Sequence, residues 1–217
     1  RQAPTEARDI ETLVNRARMS PLVLHDGLLE TVNRTMMQRS PRVVIFIGHA
    51  DVTSADGQRT LGLTDSTGRL LDMRHQTVVD VLASSDRLEL LVLNGCCSEE
   101  VGTLLRDIAG VPFVVCWRTL VDDEPASIFA GHFWSAVARG ASPRDAFEQA
   151  AFRLTLPQQA GQTDAGLATQ VAKYELRDPA VAPMPLGWTP LPDAAGIPVL
   201  ICKEGSILPR PAPLCGA

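Results

Sequence analysis

Four short, nearly uninterrupted apolar runs dominate the pattern of this chain: Arg42-Val-Val-Ile-Phe-Ile-Gly48, Leu88-Glu-Leu-Leu-Val-Leu93, Val111–Trp117 and Val199–Cys202. None alternates apolar with polar residues, so neither face of these strands is written for water, and such strands belong in a sheet covered on both sides. The stretches between them have helical spacing. Residues Thr5–Ala17 put Ala7, Ile10, Leu13, Val14 and Ala17 on one face. Asp26–Arg39, capped by Asp26 and stopped at Ser40-Pro41, turns Leu28, Leu29, Val32, Met36 and Met37 inward. Arg74–Ser84, Ser98–Ala109, Ala126–Arg139 (with Pro125 near its start) and Ser142–Leu154 complete the set. Strand alternating with helix predicts an α/β fold: an open, mostly parallel sheet flanked by helices on both faces.

Smaller features fill in the outline. Pro21–His25 is a further strand candidate, Asp65-Ser-Thr-Gly68 reads as a hairpin turn, and Ser98 with Glu99 and Glu100 reads as a helix start. Leu167–Leu176 has helical character. Six of the 16 prolines fall between Pro179 and Pro198, so about 156–195 is expected to be an irregular insertion, and about 205–217 a disordered tail. The 217 residues fit one domain.

Charge and cysteine usage narrow the function classes. The formal charge is −5, from 20 Lys+Arg against 25 Asp+Glu, and no basic run is present. Nucleic-acid affinity rests on clustered positive charge, so direct nucleic-acid binding is not expected. The apolar runs stop well short of the roughly 18–20 residues that cross a bilayer. With no charged-then-apolar leader, the chain is expected to be cytoplasmic and free of membrane contact; because it opens at Arg1, it is read as a piece trimmed from something longer. Five cysteines, two of them adjacent at Cys96-Cys97, are read as reduced thiols. Cys116 and Cys202 lie in strands and read as packing residues, and Cys215 lies in the tail. Paired C-x-x-C units are missing, so no metal site is expected.

In open α/β sheets the working residues sit beyond the carboxyl ends of the strands. His49 ends one buried run and Cys96 a later one, so both project from the same sheet edge, as a Cys/His dyad requires. The dipole of the helix that follows favours an anionic sulfur at Cys96, while Glu99 and Glu100 oppose it. The backbone amides of Gly48, Ala50 and Cys96 are the candidate oxyanion donors. From position alone, a structural role for His49 and a packing role for Cys96 and Cys97 stand beside this reading. His25, His75 and His132 have no partner motif.

Gly48-His49 after a strand, and Asn94-Gly95-Cys96-Cys97-Ser98 after the next buried strand, resemble the GHG and N-A-C-x-S motifs of CHAT domains, a caspase-like group related to separases, metacaspases and gingipains. Asp123-Glu-Pro-Ala126, Phe133-Trp134 and Ala146-Phe147-Glu-Gln-Ala150 resemble further motifs of that group, in the same order. The resemblance runs through residues 5–155 and takes in 199–202. It implies a caspase-like fold and a cysteine endopeptidase acting on protein or peptide substrates. Cys96 would be the nucleophile, His49 the acid/base and Cys97 the variable position. It implies no cofactor, and a regulatory domain or activating partner is a usual companion.

Ala50 stands where the family has its second Gly, the strand that usually precedes the family's first helix is missing, and 156–195 has no counterpart in the family. Asp122, Asp123 and Glu124 are candidates for an acidic pocket that selects Lys or Arg, Arg118 beside Trp117 could instead favour an acidic residue, and Asp51 is a further candidate to line the cleft. Two other functions remain open on the sequence: an inactive caspase-like interaction module, and a thiol redox protein using Cys96 and Cys97.

Overall fold

The four apolar runs pair into one sheet. The computed structural model describes residues 8, 10–12, 14–15, 21–24, 27–50, 52–53, 57, 59–71, 73–121, 123–155 and 196–207. The strands are β1 (Val43–Ile47), β4 (Leu90–Asn94), β5 (Phe113–Trp117), β6 (Pro198–Cys202) and β7 (Gly205–Ile207), in the order β1-β4-β5-β6-β7. β4 runs parallel to β1 and to β5, whereas β6 is antiparallel to both β5 and β7. The sheet is therefore mixed and mostly parallel. A separate ribbon joins β2 (Val52–Thr53) to β3 (Arg59–Thr60).

The strands carry no polar alternation because each face supplies its own core. Leu90 and Val92 of β4, Val115 and Trp117 of β5, and Leu200 of β6 point to one side. They pack there with α4 (Asp123–Ala138), α5 (Pro143–Thr155) and the buried Ile10 and Val14 of an N-terminal helical segment. Leu91 and Leu93, Val114 and Cys116, and Val199 and Ile201 point to the other side. Their partners are α1 (Leu29–Arg39), through Met36, together with α2 (His75–Ala83) and α3 (Glu99–Asp107). Every residue of β4 and β6 is buried, while β1, at the edge among the described residues, is only half-buried.

The α4–α5 side is the aromatic one. Phe129 meets Trp117 edge-on at 5.4 Å, Phe133 stacked at 6.0 Å and Phe147 edge-on at 5.9 Å. Ala126, Ala130, Ala146 and Ala150, all buried, let the two helices approach closely. Ser142 opens α5 as expected: its hydroxyl accepts from the Asp145 N–H at 3.2 Å and donates to the Asp145 carboxylate at 2.7 Å. On the opposite side, a Cβ on Gly102 of α3 would sit 3.1–3.3 Å from Val114, Cys116 and Ile201. The bare glycine is what lets α3 lie that close to the sheet.

Several expectations need correction. Met37, expected inward, is 64% exposed; only Met36 of that pair enters the core. Pro21–Leu24 form no strand. Gly205–Ile207, assigned to the tail, pair with β6 as β7. The turn at Asp65–Gly68 is present: Asp65 Oδ1 accepts from the Thr67 and Arg69 amides and the Thr67 hydroxyl, which holds this carboxyl below its ordinary range. The strands expected to flank the turn amount to a single bridge, Thr64 to Leu70. The Asp26 cap, the helix at 167–176, the insertion at 156–195 and the tail beyond 207 lie outside the described residues.

Truncating Phe129 to Ala removes the ring on which Trp117, Phe133 and Phe147 converge. A loss of about 3–5 kcal/mol is expected, read as a lower urea midpoint with an unchanged slope.

Candidate active site

Strand register sets the level of the two loops that carry His49 and Cys96. Ile47 pairs with Asn94, and the Gly48 N–H extends the ladder by donating to the Asn94 carbonyl at 3.3 Å. His49 and Cys96 each follow two residues beyond that pair, so they leave the same edge of the sheet side by side. The loops also interlock. A Cβ on Gly95 would collide with the Gly48 carbonyl oxygen and stand only 3.0 Å from the Ala50 Cβ and 3.2 Å from the Ala50 nitrogen. Glycine at 95 is therefore a packing requirement of the paired loops.

The residues around Cys96 each have a definable task. Asn94, buried at the end of β4, accepts a hydrogen bond from the Trp117 indole at 2.8 Å. Ser98 is fully buried; its hydroxyl donates to the Leu93 carbonyl at 3.2 Å and accepts from the Trp117 amide at 3.0 Å. It occupies the N-cap position of α3, the helix start that the sequence predicts, but makes no side-chain cap. Cys97 adopts a left-handed backbone with φ of 52°, is buried, and donates its N–H to the Thr119 carbonyl at 3.0 Å. A non-glycine residue in that conformation is a strained one, held by its surroundings. The strained turn leaves Cys96 partly accessible while Cys97 faces the interior.

The Cys96 sulfur rests on the Val121 peptide: it accepts from the Val121 N–H at 3.5 Å and donates to the Val121 carbonyl at 3.4 Å. The His49 imidazole is exposed and makes no hydrogen bond to the thiol. Such bonds are often long or misaligned until substrate is bound. Of the three candidate oxyanion amides, that of Gly48 is already committed to Asn94, so the structure removes it from the set. Among the described residues the Ala50 and Cys96 amides have no carbonyl partner. Ala50 is wholly buried and its φ is not positive, so its methyl is accommodated without strain where the family has glycine.

Local electrostatics differ from the sequence reading. Glu99 is held by Arg118 in a two-point pair at 2.7 and 2.9 Å, which offsets its charge and directs Arg118 away from an independent role in selecting acidic side chains. Glu100 lies 4.0 Å from Nδ1 of the buried His75, which has no hydrogen-bond partner among the described residues. Burial pushes the Cys116 thiol well above its ordinary value, with the Glu99 charge adding to the effect, so this sulfur behaves as packing. Asp51 and Asp122 lie outside the described residues, and Asp123 is placed only by backbone, as the first residue of α4. Among the described residues no group of His, Cys, Asp and Glu could hold a metal ion, and no helix is long and apolar enough to cross a membrane.

The family model of the CHAT domain matches residues 1–183. The chain belongs to the CHAT-domain family. The match continues beyond 155 into the Pro-rich segment, which the sequence reading left without a family counterpart, and it stops before β6. The CHAT domain is related to caspase-like peptidases, and the mixed, mostly parallel sheet with helices on both faces agrees with that relationship. No curated protein matches the chain. The remaining CHAT-like motifs, Ala126, Phe133-Trp134 and Ala146-Phe147 with Ala150, are all core positions of the α4–α5 pair.

Sequence reasoning missed Trp117 and Val121. A tryptophan at the end of a buried strand looks like core, and nothing in the pattern shows that its N–H groups hold the neighbouring strand end. Trp117→Phe keeps an aromatic ring in the core but trims the indole and removes the bond to Asn94. It should cost about 1–2 kcal/mol and slow alkylation of Cys96 by iodoacetamide, with little change in far-UV circular dichroism. Gly95→Ala should cost about 3 kcal/mol, the upper end for an inserted methyl, and suppress the same labelling.

Proposed function

We propose that this chain is a cysteine endopeptidase in which Cys96 attacks the peptide carbonyl and His49 handles the proton. One observation supports the reading most: the Ile47–Asn94 register and the Gly95–Gly48 contact place His49 and Cys96 on adjoining loops at one sheet edge. In this mechanism His49 takes the thiol proton as sulfur bonds to carbon. The resulting oxyanion meets the Cys96 amide. The C–N bond then breaks as the imidazolium protonates the leaving amine, and water, deprotonated by His49, releases the acid from the thioester. The substrate is an extended segment of protein, and a regulatory domain or partner would bring the imidazole onto the thiol.

A second reading, a non-catalytic interaction module of the same fold, draws on the thiol resting on Val121 with no bond to His49. A thiol-reactive peptide probe and a peptide-library cleavage assay separate the two. The enzyme predicts that labelling and cleavage vanish in Cys96→Ala, fall by about 10²–10⁴ in His49→Ala and persist in Cys97→Ser. Equal labelling of the native chain, Cys96→Ala and His49→Ala, without cleavage, supports the module. Loss of function in Cys97→Ser as well as in Cys96→Ala would point to a redox pair.

A further inference from the structure

Two leucines stand largely in solvent on either side of the candidate dyad: Leu70 is 58% exposed and Leu120 is 50% exposed. Leu120 lies between the two residues that hold the nucleophile's turn, since Thr119 accepts from the Cys97 amide and Val121 bonds the Cys96 sulfur through both its N–H and its carbonyl. Val121 packs into the core while Leu120 faces out. On the other flank the Gly62 N–H donates to the His49 carbonyl at 2.7 Å. A Cβ at Gly62 would lie 3.1 Å from that carbonyl oxygen and 3.4 Å from both Leu70 Cδ2 and Val52 Cγ2. Leu70 and Val52 therefore pack about Gly62, the residue bonded to the His49 carbonyl, while Leu120 sits in the segment that holds the Cys96 sulfur. Glu99, three residues after Cys96, and Arg118 are paired with each other. Leu70 and Leu120 are thus exposed apolar side chains on segments that pack against the two loops.

We propose that Leu70, with Val52, and Leu120 are specificity determinants that receive apolar side chains of the substrate on the two sides of the scissile bond. The inference rests on the peptidase reading and names its substrate class: extended peptides with Leu-, Met- or Phe-sized side chains next to the cleaved bond. Exposed aliphatic groups in contact with the loops that carry the chemistry gain from being covered only when a peptide occupies the site, and the apolar area so buried favours an apolar partner over a charged one.

The test uses the full chain, its Leu70→Asp and Leu120→Asp variants, and a peptide library randomised on both sides of the scissile bond. Both substitutions are at exposed positions, and an unchanged melting temperature verifies folding. The expected result is preferred cleavage of apolar peptides and a roughly tenfold lower kcat/KM for them in each variant. The rate of Cys96 alkylation by iodoacetamide should stay the same in Leu70→Asp. A preference for Lys or Arg that both variants retain overturns the proposal and leaves the peptidase reading standing. If no peptide is cleaved, the peptidase reading fails. Binding of fluorescent apolar and Arg-containing peptides to Cys96→Ala then decides the leucine proposal by itself. Weaker apolar binding after either Asp substitution supports it, and identical binding with and without the substitutions overturns it.

Discussion

The arrangement at the sheet edge depends on how Trp117 is tied to its neighbours. Its ring belongs to the aromatic core through Phe129, while its indole N–H holds Asn94 and its backbone N–H holds the Ser98 hydroxyl. Asn94 and Ser98 bracket the turn that carries Cys96, so the packing of α4 against the sheet is transmitted through one side chain to the position of a sulfur. Hydrogen bonds in such a buried setting are strengthened by the low local dielectric, and each leaves a costly orphan if its partner is removed. This is a stiff support for a turn that includes a left-handed, non-glycine residue at Cys97.

The acidic residues after Cys96 are less of an obstacle to an anionic sulfur than their number suggests. Glu99 and Arg118 are both partly buried and share a fork of two hydrogen bonds, the geometry in which an arginine–carboxylate pair is strongest. The pair spans from α3 to the segment after β5, and thus also fixes the start of the chain that reaches Val121 beneath Cys96. A charge that would oppose an anionic sulfur is used to brace the loop holding it.

The unalternating runs made the α/β class legible, because a strand buried on both faces has nothing else to write. The loop positions of His49 and Cys96 followed from the same reasoning, since a chain leaving a parallel strand must emerge at the carboxyl edge. What could not be read was which polar side chains inside the motif are structural. Ser98 had a good helix-start pattern yet spends its hydroxyl across two strands, and that choice depends on β5 being the neighbour of β4. Gly48 looked like an oxyanion donor because glycine exposes its amide, but strand pairing claims that N–H first. Met37 sat one position from Met36 on a stripe too broad for α1 to bury. For Gly48 and Ser98 the deciding partners, Asn94 and Trp117, belong to neighbouring strands, outside the reach of local pattern.

The contact between Gly95 and the 48–50 backbone has a mechanical consequence. Two loops so close that not even a methyl fits between them cannot slide past each other, so the backbone of the dyad moves as one body. On the peptidase reading, switching between resting and working states would then occur elsewhere: in the rotation of the exposed imidazole about its own bonds, or in the 118–121 segment lifting off the sulfur. A partner would have no need to assemble the two loops, only to turn the imidazole onto a thiol already delivered to its place.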